Sequence, residues 1–289
     1  RLRDDGAAVI AFDMRPAPDG CPGDVEWVEA ELDDHECLSA LVRRADTVFH
    51  LASSSTPSSA NADPAGDVGN SILPALALLD MLAEPDARLV FVSSGGTVYG
   101  PDVPVPTPET APTDPINAYG VSKLAIEKYI AISRRQRGLD AIILRVANPY
   151  GPHQNPLRGQ GAIAAFLHRA LTGEVIEIWG TGEVIRDYIY IGDLTAALSA
   201  SAIYDGPHGL FNIGGGSGLS LNDIISKIEP LFDTPLQVER KPGRPLDVPA
   251  SILDISRALE HLGWRPETRI ETGLSQTLDW LRGVIAPRS

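Results

Sequence analysis

At 289 residues, with 43% apolar and 21% charged side chains, the chain is long enough for one large domain or two interlocked ones and too apolar to be disordered. A formal charge of −14 argues against a general nucleic-acid surface, because phosphate backbones are bound by clustered Lys and Arg, and any anionic ligand must meet a local basic site. No run reaches the roughly 18 apolar residues of a membrane span, and the opening RLRDDGAAVIAFD has no signal-peptide cleavage site.

Taken in order, AAVIAFD (7–13), TVFHLA (47–52), RLVFVSS (88–94) and DAIILRVAN (140–148) are unbroken apolar runs, the pattern of strands buried on both faces. Between them DDHECLSALVRRA, NSILPALALLDMLAE and AYGVSKLAIEKYIAISRRQRG have helical spacing, with Pro74 near a helix start and Gly138 closing the last helix. The alternation predicts an α/β fold with a doubly wound parallel sheet, whose ligands bind beyond the carboxyl ends of the strands. Asp13, His50 to Ser53, Ser93 to Gly96 and Asn148 then face one cleft. After Tyr150 the texture turns to loops rich in Gly and Pro with shorter elements such as EVIEIWG. The expected division is a Rossmann-like domain over 1–150 and a smaller α+β lobe over 151–289, with segments near 186–216 able to return to the first domain.

Two cysteines, Cys21 and Cys37, suit a reducing compartment, so a cytoplasmic location is expected. The six histidines, His35, His50, His153, His168, His208 and His261, lack metal-ligand spacing, and no metal is expected. The clearest chemical signal is Tyr119 with Lys123, four residues apart and on one helix face. A free phenol titrates near ~10, and a cation beside it favours the phenolate, which makes the pair a candidate general base. The same spacing also describes an ordinary amphipathic helix.

Context separates the two readings. VIAFD, VFHLAS, FVSSGGTVYG, NAYGVSK, LRVANPYGP, IWGTGEVIRDYIYIGDL, FNIGGG and LDVPASILDISRALEHLGWRP follow one another in an order that resembles the extended short-chain dehydrogenase/reductase superfamily, and within it the NAD-dependent nucleotide-sugar epimerase/dehydratase family. The resemblance implies Tyr119 as general base and Lys123 as the residue that lowers its pKa and bonds the nicotinamide ribose. Asp13 falls where a carboxylate bonds the adenosine ribose 2′-hydroxyl, which implies NAD rather than NADP; a turn-forming Asp is the alternative. Leu32, Leu51, Ala52, Asn70 and Ser93 fall along the cofactor channel, and His50 reads as a core or turn histidine. Asn148, Arg186 and Arg244 match positions that hold a nucleotide diphosphate, where a forked guanidinium suits phosphate oxygens; surface ion pairs are the alternative for the arginines. Asp247 resembles a residue that bonds the nucleoside ribose or orients an arginine, and Ser251, small where plain-hexose enzymes often carry an aromatic, leaves room for an N-acetyl group.

Two departures from the family accompany these matches. The strand and glycine-rich turn that approach the pyrophosphate, about 20 residues of the usual unit, lie outside this sequence, so the chain as written is expected to bind NAD poorly. The catalytic hydroxyl of the loop after RLVFVSS aligns on Gly95, which has none; Ser94 is the nearest replacement and Thr97 the second. The loop also lacks the acid of sugar 4,6-dehydratases, with Gly96 and Thr97 in its place. The expected activity is therefore NAD-dependent C4 epimerisation of a nucleotide-diphosphate sugar by a homodimer. The alternatives are a 4-ketoreductase or 4,6-dehydratase, or, in another class, a non-catalytic dinucleotide-binding sensor.

Overall fold

The computed structural model describes residues 1–83, 86–158, 160–243 and 248–285. The chain enters through β1 (Ile10–Asp13), β2 (Glu26–Glu29), α1 (His35–Val42) and β3 (Thr47–His50). It continues through α2 (Pro57–Ala62), α3 (Pro64–Asp67), a π-helical turn (Val68–Ile72), α4 (Leu73–Met81) and β4 (Arg88–Ser94). The long helix α5 (Ala118–Arg137) precedes β5 (Ala141–Val146) and β6 (Asn148–Tyr150). Then come α6 (Ala162–Thr172), β7 (Ile176–Trp179), β8 (Ile185–Tyr190), α7 (Ile191–Ala202), β9 (Leu210–Ile213) and β10 (Gly218–Ser220). The chain closes with α8 (Leu221–Ile228), β11 (Val238–Lys241), β12 (Ala250–Ser251), α9 (Ser256–His261) and α10 (Ile270–Ile285).

Among the parallel strands, two sets belong to the doubly wound order. β3, β4, β5 and β9 are hydrogen-bonded side by side, and β1 pairs with β2. In the doubly wound order 3-2-1-4-5-6, β2 and β1 take places 3 and 2 while β3, β4 and β5 take places 4, 5 and 6. The place of strand 1 thus falls between the two sets, where β1 and β3 each end their sheet.

Both faces of the larger sheet are covered, which is why its strands read as continuous apolar runs. On one face Leu89, Phe91 and Ile143 meet Leu38, Leu78, Leu79, Ile126 and Ile130 from α1, α4 and α5. On the other, Val90, Ile142, Leu144 and Val146 meet Leu194, Ala197, Ala258 and Trp264. β9 hydrogen-bonds to β5, and α7 covers this second face, so the segment between them belongs to the same layer. A third core joins α6, α8 and α10 through Ile163, Leu167, Ile224, Ile228, Leu274 and Leu278.

One element differs from the reading of NSILPALALLDMLAE as a plain helix. The Leu73 N–H reaches back to the Val68 carbonyl, making a π-helical turn before α4. Pro74 follows immediately and has no N–H to offer the Asn70 carbonyl, so the regular ladder cannot run through this point.

Candidate active site

α5 presents the Tyr-Lys pair at the carboxyl ends of β3 and β4. Its start is fixed by Asn117, whose side chain accepts from the Gly120 N–H at 2.8 Å, and by Asn61, which accepts from the Ala118 N–H at 2.8 Å. Gly120 allows the helix to press on the loop after β4, since a Cβ there would lie 2.6 Å from the Thr97 carbonyl oxygen. Gly138, in the left-handed region at φ 71°, ends the helix.

Lys123 is buried. Its Nζ donates to the Val92 carbonyl at 3.0 Å and lies 5.0 Å from the Phe91 ring centroid and 5.6 Å from that of Tyr119. Burial pushes its ammonium down to about 8, opposed by the charges of Asp67 and Glu127. The Tyr119 hydroxyl is pushed above its usual value: burial is the largest cause, hydrogen bonding to Ser53 pulls it down, and the Asp67 charge adds to the rise. The expectation that Lys123 lowers the phenol is thus outweighed, because desolvation of a buried phenolate exceeds what the neighbours return.

Asp67 and Glu127 escaped the sequence reading. Asp67 is buried and accepts from Ser122 Oγ at 2.6 Å and Ser71 Oγ at 3.1 Å. Glu127, one turn beyond Lys123, accepts from Arg145 through Nη2 at 2.6 Å and Nε at 3.0 Å. The spacing of Glu127 from Lys123 was visible in the sequence; Asp67 carried no such signal.

The other residues expected to bind the cofactor are spread over several elements. Asp13 is exposed, its Oδ1 accepting from the Arg15 N–H at 2.9 Å. Leu51 is 54% exposed, Ala52 and Ser53 beside it are exposed, and Asn70 is exposed on the π-helical turn. Leu32 is half-buried against the first core. Ser93 behaves differently, for its hydroxyl is buried and donates to Glu127 at 2.6 Å, away from the cleft. Ser94, next on the strand, is half-buried. A Cβ at Gly95 would meet Leu253 Cδ1 at 2.5 Å, and Thr97 Oγ1 is buried with no hydrogen-bond partner. His50 is a core histidine, stacked 5.7 Å from Phe91 and held neutral by burial, with a pKa of about 4.

On the substrate side Asn148 and Arg186 line one cavity of about 210 Å³ with Tyr150, Trp179, Tyr188 and Leu221. The parallel pairing of β6 with β8 brings them together. Asn148 Nδ2 donates to the Asp187 carbonyl at 2.8 Å, and Arg186 Nη1 to the Val248 carbonyl at 2.7 Å. Trp179, 43% exposed at this cavity, is an aromatic face that sequence reasoning did not single out. Ser251 sits on β12 in register with Arg186, half-buried, and is not among the residues lining the cavity. Arg244 and Asp247 lie outside the described residues. Among the described residues no group of three or more His, Cys, Asp or Glu is placed to hold a metal ion, and no helix is long and apolar enough to cross a membrane.

A sequence model of the NAD dependent epimerase/dehydratase family matches residues 1–214. The chain belongs to that family. Its fold superposes on the UDP-glucose 4-epimerase of Thermotoga maritima solved with UDP-glucose, with a TM-score of 0.91 and 34% identity, covering 98% of this chain and 94% of that one. The UDP-glucose 4-epimerase of Thermus thermophilus, solved with NAD, gives a TM-score of 0.90 at 29% identity with the same coverage. The dTDP-4-dehydro-6-deoxyglucose reductase of Escherichia coli is 31% identical over 284 residues, 95% of this chain and 90% of the relative. The family thus joins epimerases and reductases of nucleotide sugars, and this chain is one of its enzymes, with an α/β, doubly wound parallel fold.

Proposed function

We propose that the protein is a nucleotide-sugar 4-epimerase acting on a UDP-hexose or UDP-N-acetylhexosamine. The observation that carries this reading is the pairing of half-buried Tyr119 with buried Lys123 on α5 at the strand ends, in a chain whose Asn148 and Arg186 line a common cavity. The residues present fit the ribose and nicotinamide ends of NAD: an exposed carboxylate in Asp13, an exposed apolar cover in Leu51 and Ala52, and a buried cation in Lys123. NAD, when bound, supplies reversible hydride acceptance at the sugar C4.

In its phenolate form Tyr119 takes the proton of the C4 hydroxyl as that carbon is oxidised, and gives it back after the 4-keto sugar has presented its other face. Lys123, anchored on the Val92 carbonyl, puts a positive charge beside the phenolate that is to accept the proton. Arg186, and Arg244 beyond the described residues, are assigned to the diphosphate, and Trp179 offers its ring to the nucleobase. The loop from Ser94 to Thr97 carries no carboxylate to protonate a leaving hydroxyl, which disfavours dehydration. A second reading, 4-ketoreduction, is favoured by the Escherichia coli relative.

Residues 1–150 are assigned to the cofactor and 151–289 mainly to the sugar nucleotide. The protein is assigned to the cytoplasm, which suits its two free cysteines. A homodimer is proposed through α4 and α5, where Leu73, Val121, Tyr129 and Ile132 are 43–58% exposed. The test of the chemistry is Tyr119→Phe in the full-length protein: turnover should fall by roughly 10² to 10⁴ with the fold intact, and near-normal turnover overturns the assignment.

A further inference from the structure

In the doubly wound order a dinucleotide lies across the crevice where the strand order reverses, between places 1 and 4. β3 takes place 4, so the chain that leaves β3 through Leu51 and Ala52 to Ser53 borders that crevice. The dinucleotide brings a doubly charged pyrophosphate, which needs cations or oriented N–H donors around it. This edge has no such cation of its own. From Ala45 to Ala87 the sequence holds no Lys or Arg, and its only charged side chains are carboxylates.

A cation reaches the edge from the segment between β6 and α6. Arg158 Nη2 donates to the Ser53 carbonyl at 3.4 Å, across 105 positions. Arg158 and Ser53 are both exposed, and Arg158 has no carboxylate partner among the described residues. The segment that carries it is braced from within. Gln154 Nε2 donates to the Pro149 carbonyl at 3.0 Å, and a Cβ on Gly161 would lie 2.6 Å from that same nitrogen, so one amide spans both ends of the segment. Asn155 Oδ1 accepts from the Leu157 N–H at 2.9 Å and turns the chain just before Arg158. A single long bond to a neutral carbonyl uses little of a guanidinium that has five donors, and it leaves the fork open to an anion.

We propose that Arg158 is a cofactor-binding residue, whose guanidinium exchanges the Ser53 carbonyl for the pyrophosphate oxygens of the dinucleotide in the adjoining crevice. The diphosphate of a sugar nucleotide has the same chemistry. Arg158 does not line the cavity that Asn148 and Arg186 share, and its one side-chain contact is to the β3 loop, which assigns it to the cofactor.

The test uses nucleotide-free full-length protein and measures Kd by calorimetry for NADH, ADP-ribose and UDP-glucose in wild type, Arg158→Met and Arg158→Lys. Arg158→Met should weaken NADH and ADP-ribose, which share the pyrophosphate, by about tenfold, and change UDP-glucose by less than about twofold. The dependence of NADH binding on salt should become shallower in Arg158→Met and stay as it is in Arg158→Lys, which keeps the charge. The urea midpoint should not move, since the side chain is exposed. The proposal is overturned if Arg158→Met leaves NADH affinity and its salt dependence unchanged, or if UDP-glucose is weakened about tenfold while NADH is not, which gives the guanidinium to the sugar nucleotide. The inference rests on the dinucleotide part of the reading above. Absence of epimerisation with the loss of NADH affinity intact would remove the 4-epimerase assignment and keep Arg158 at the cofactor.

Discussion

Glu127→Gln removes one charge from a pair that water does not reach. Both side chains of the Glu127–Arg145 pair are 4% exposed, and the guanidinium makes contacts of 2.6, 3.0 and 3.2 Å to the carboxylate. Ser93 adds a fourth contact at 2.6 Å, while Arg145 lies 4.6 Å from the Tyr99 ring centroid, whose hydroxyl donates to Asn212 at 2.7 Å. Arg145 Nη1 already lacks a partner, so the neutral amide leaves the guanidinium with no compensating charge. Breaking a buried pair from one side costs about 3–5 kcal/mol, a large part of the roughly 5–15 kcal/mol that keeps a protein folded. Urea unfolding of wild type, Glu127→Gln, Glu127→Leu, Arg145→Met and the double variant Glu127→Leu/Arg145→Met measures it, the cycle being closed by the Leu and Met variants. The double variant should lose less than the sum of the single losses, because removing both charges removes the desolvation penalty with them. A loss below about 1 kcal/mol in Glu127→Gln, or additive losses, refutes the reasoning. The substitution also takes from Lys123 one of its two carboxylates, so the lysine should titrate below the value of about 8 that it has now.

Acid should act first on His50. Its folded pKa of about 4 lies below the usual 6.5, so the unfolded chain binds the extra proton and stability falls from pH 6.5 toward pH 4, by up to about 3 kcal/mol. His50→Phe should flatten that part of the stability profile, and an unchanged slope contradicts the burial. Val121→Asp with Ile132→Asp should leave a monomer by light scattering where wild type is a dimer; a monomeric wild type removes the helix-pairing proposal. Ser251→Tyr should lower kcat/KM on UDP-N-acetylhexosamines more than on UDP-hexoses if Ser251 guards the C2 substituent. Equal effects place the preference elsewhere, in keeping with its position on β12 outside the cavity lining.

The main sheet was legible because each of its strands is buried twice. The run RLVFVSS is β4 residue for residue, and α5 begins after Asn117 and ends before Gly138, as cap chemistry requires. Tyr119 and Lys123 could be paired from a four-residue spacing alone. Contacts between distant segments could not be read this way: Ser122 meets Asp67 across 55 positions, and Arg158 reaches the Ser53 carbonyl across 105. The direction of Ser93 follows from strand alternation, since it shares the α5 side with Phe91 while Ser94 faces the other way. The Tyr119 pKa was misjudged because the sequence displays the cation but not the burial that outweighs it.

Epimerisation at C4 with no net redox change is the central claim, and one incubation tests it. Full-length protein with NAD and no other reductant is given UDP-glucose, and in parallel UDP-N-acetylglucosamine, and the sugar nucleotides are resolved over time by NMR. The 4-epimerase assignment predicts the C4 epimer rising to a constant ratio with NAD unconsumed, and none in Tyr119→Phe. No interconversion of either sugar contradicts it, and one NADH oxidised per sugar in a companion incubation supplied with NADH and a 4-keto sugar nucleotide establishes the reductase.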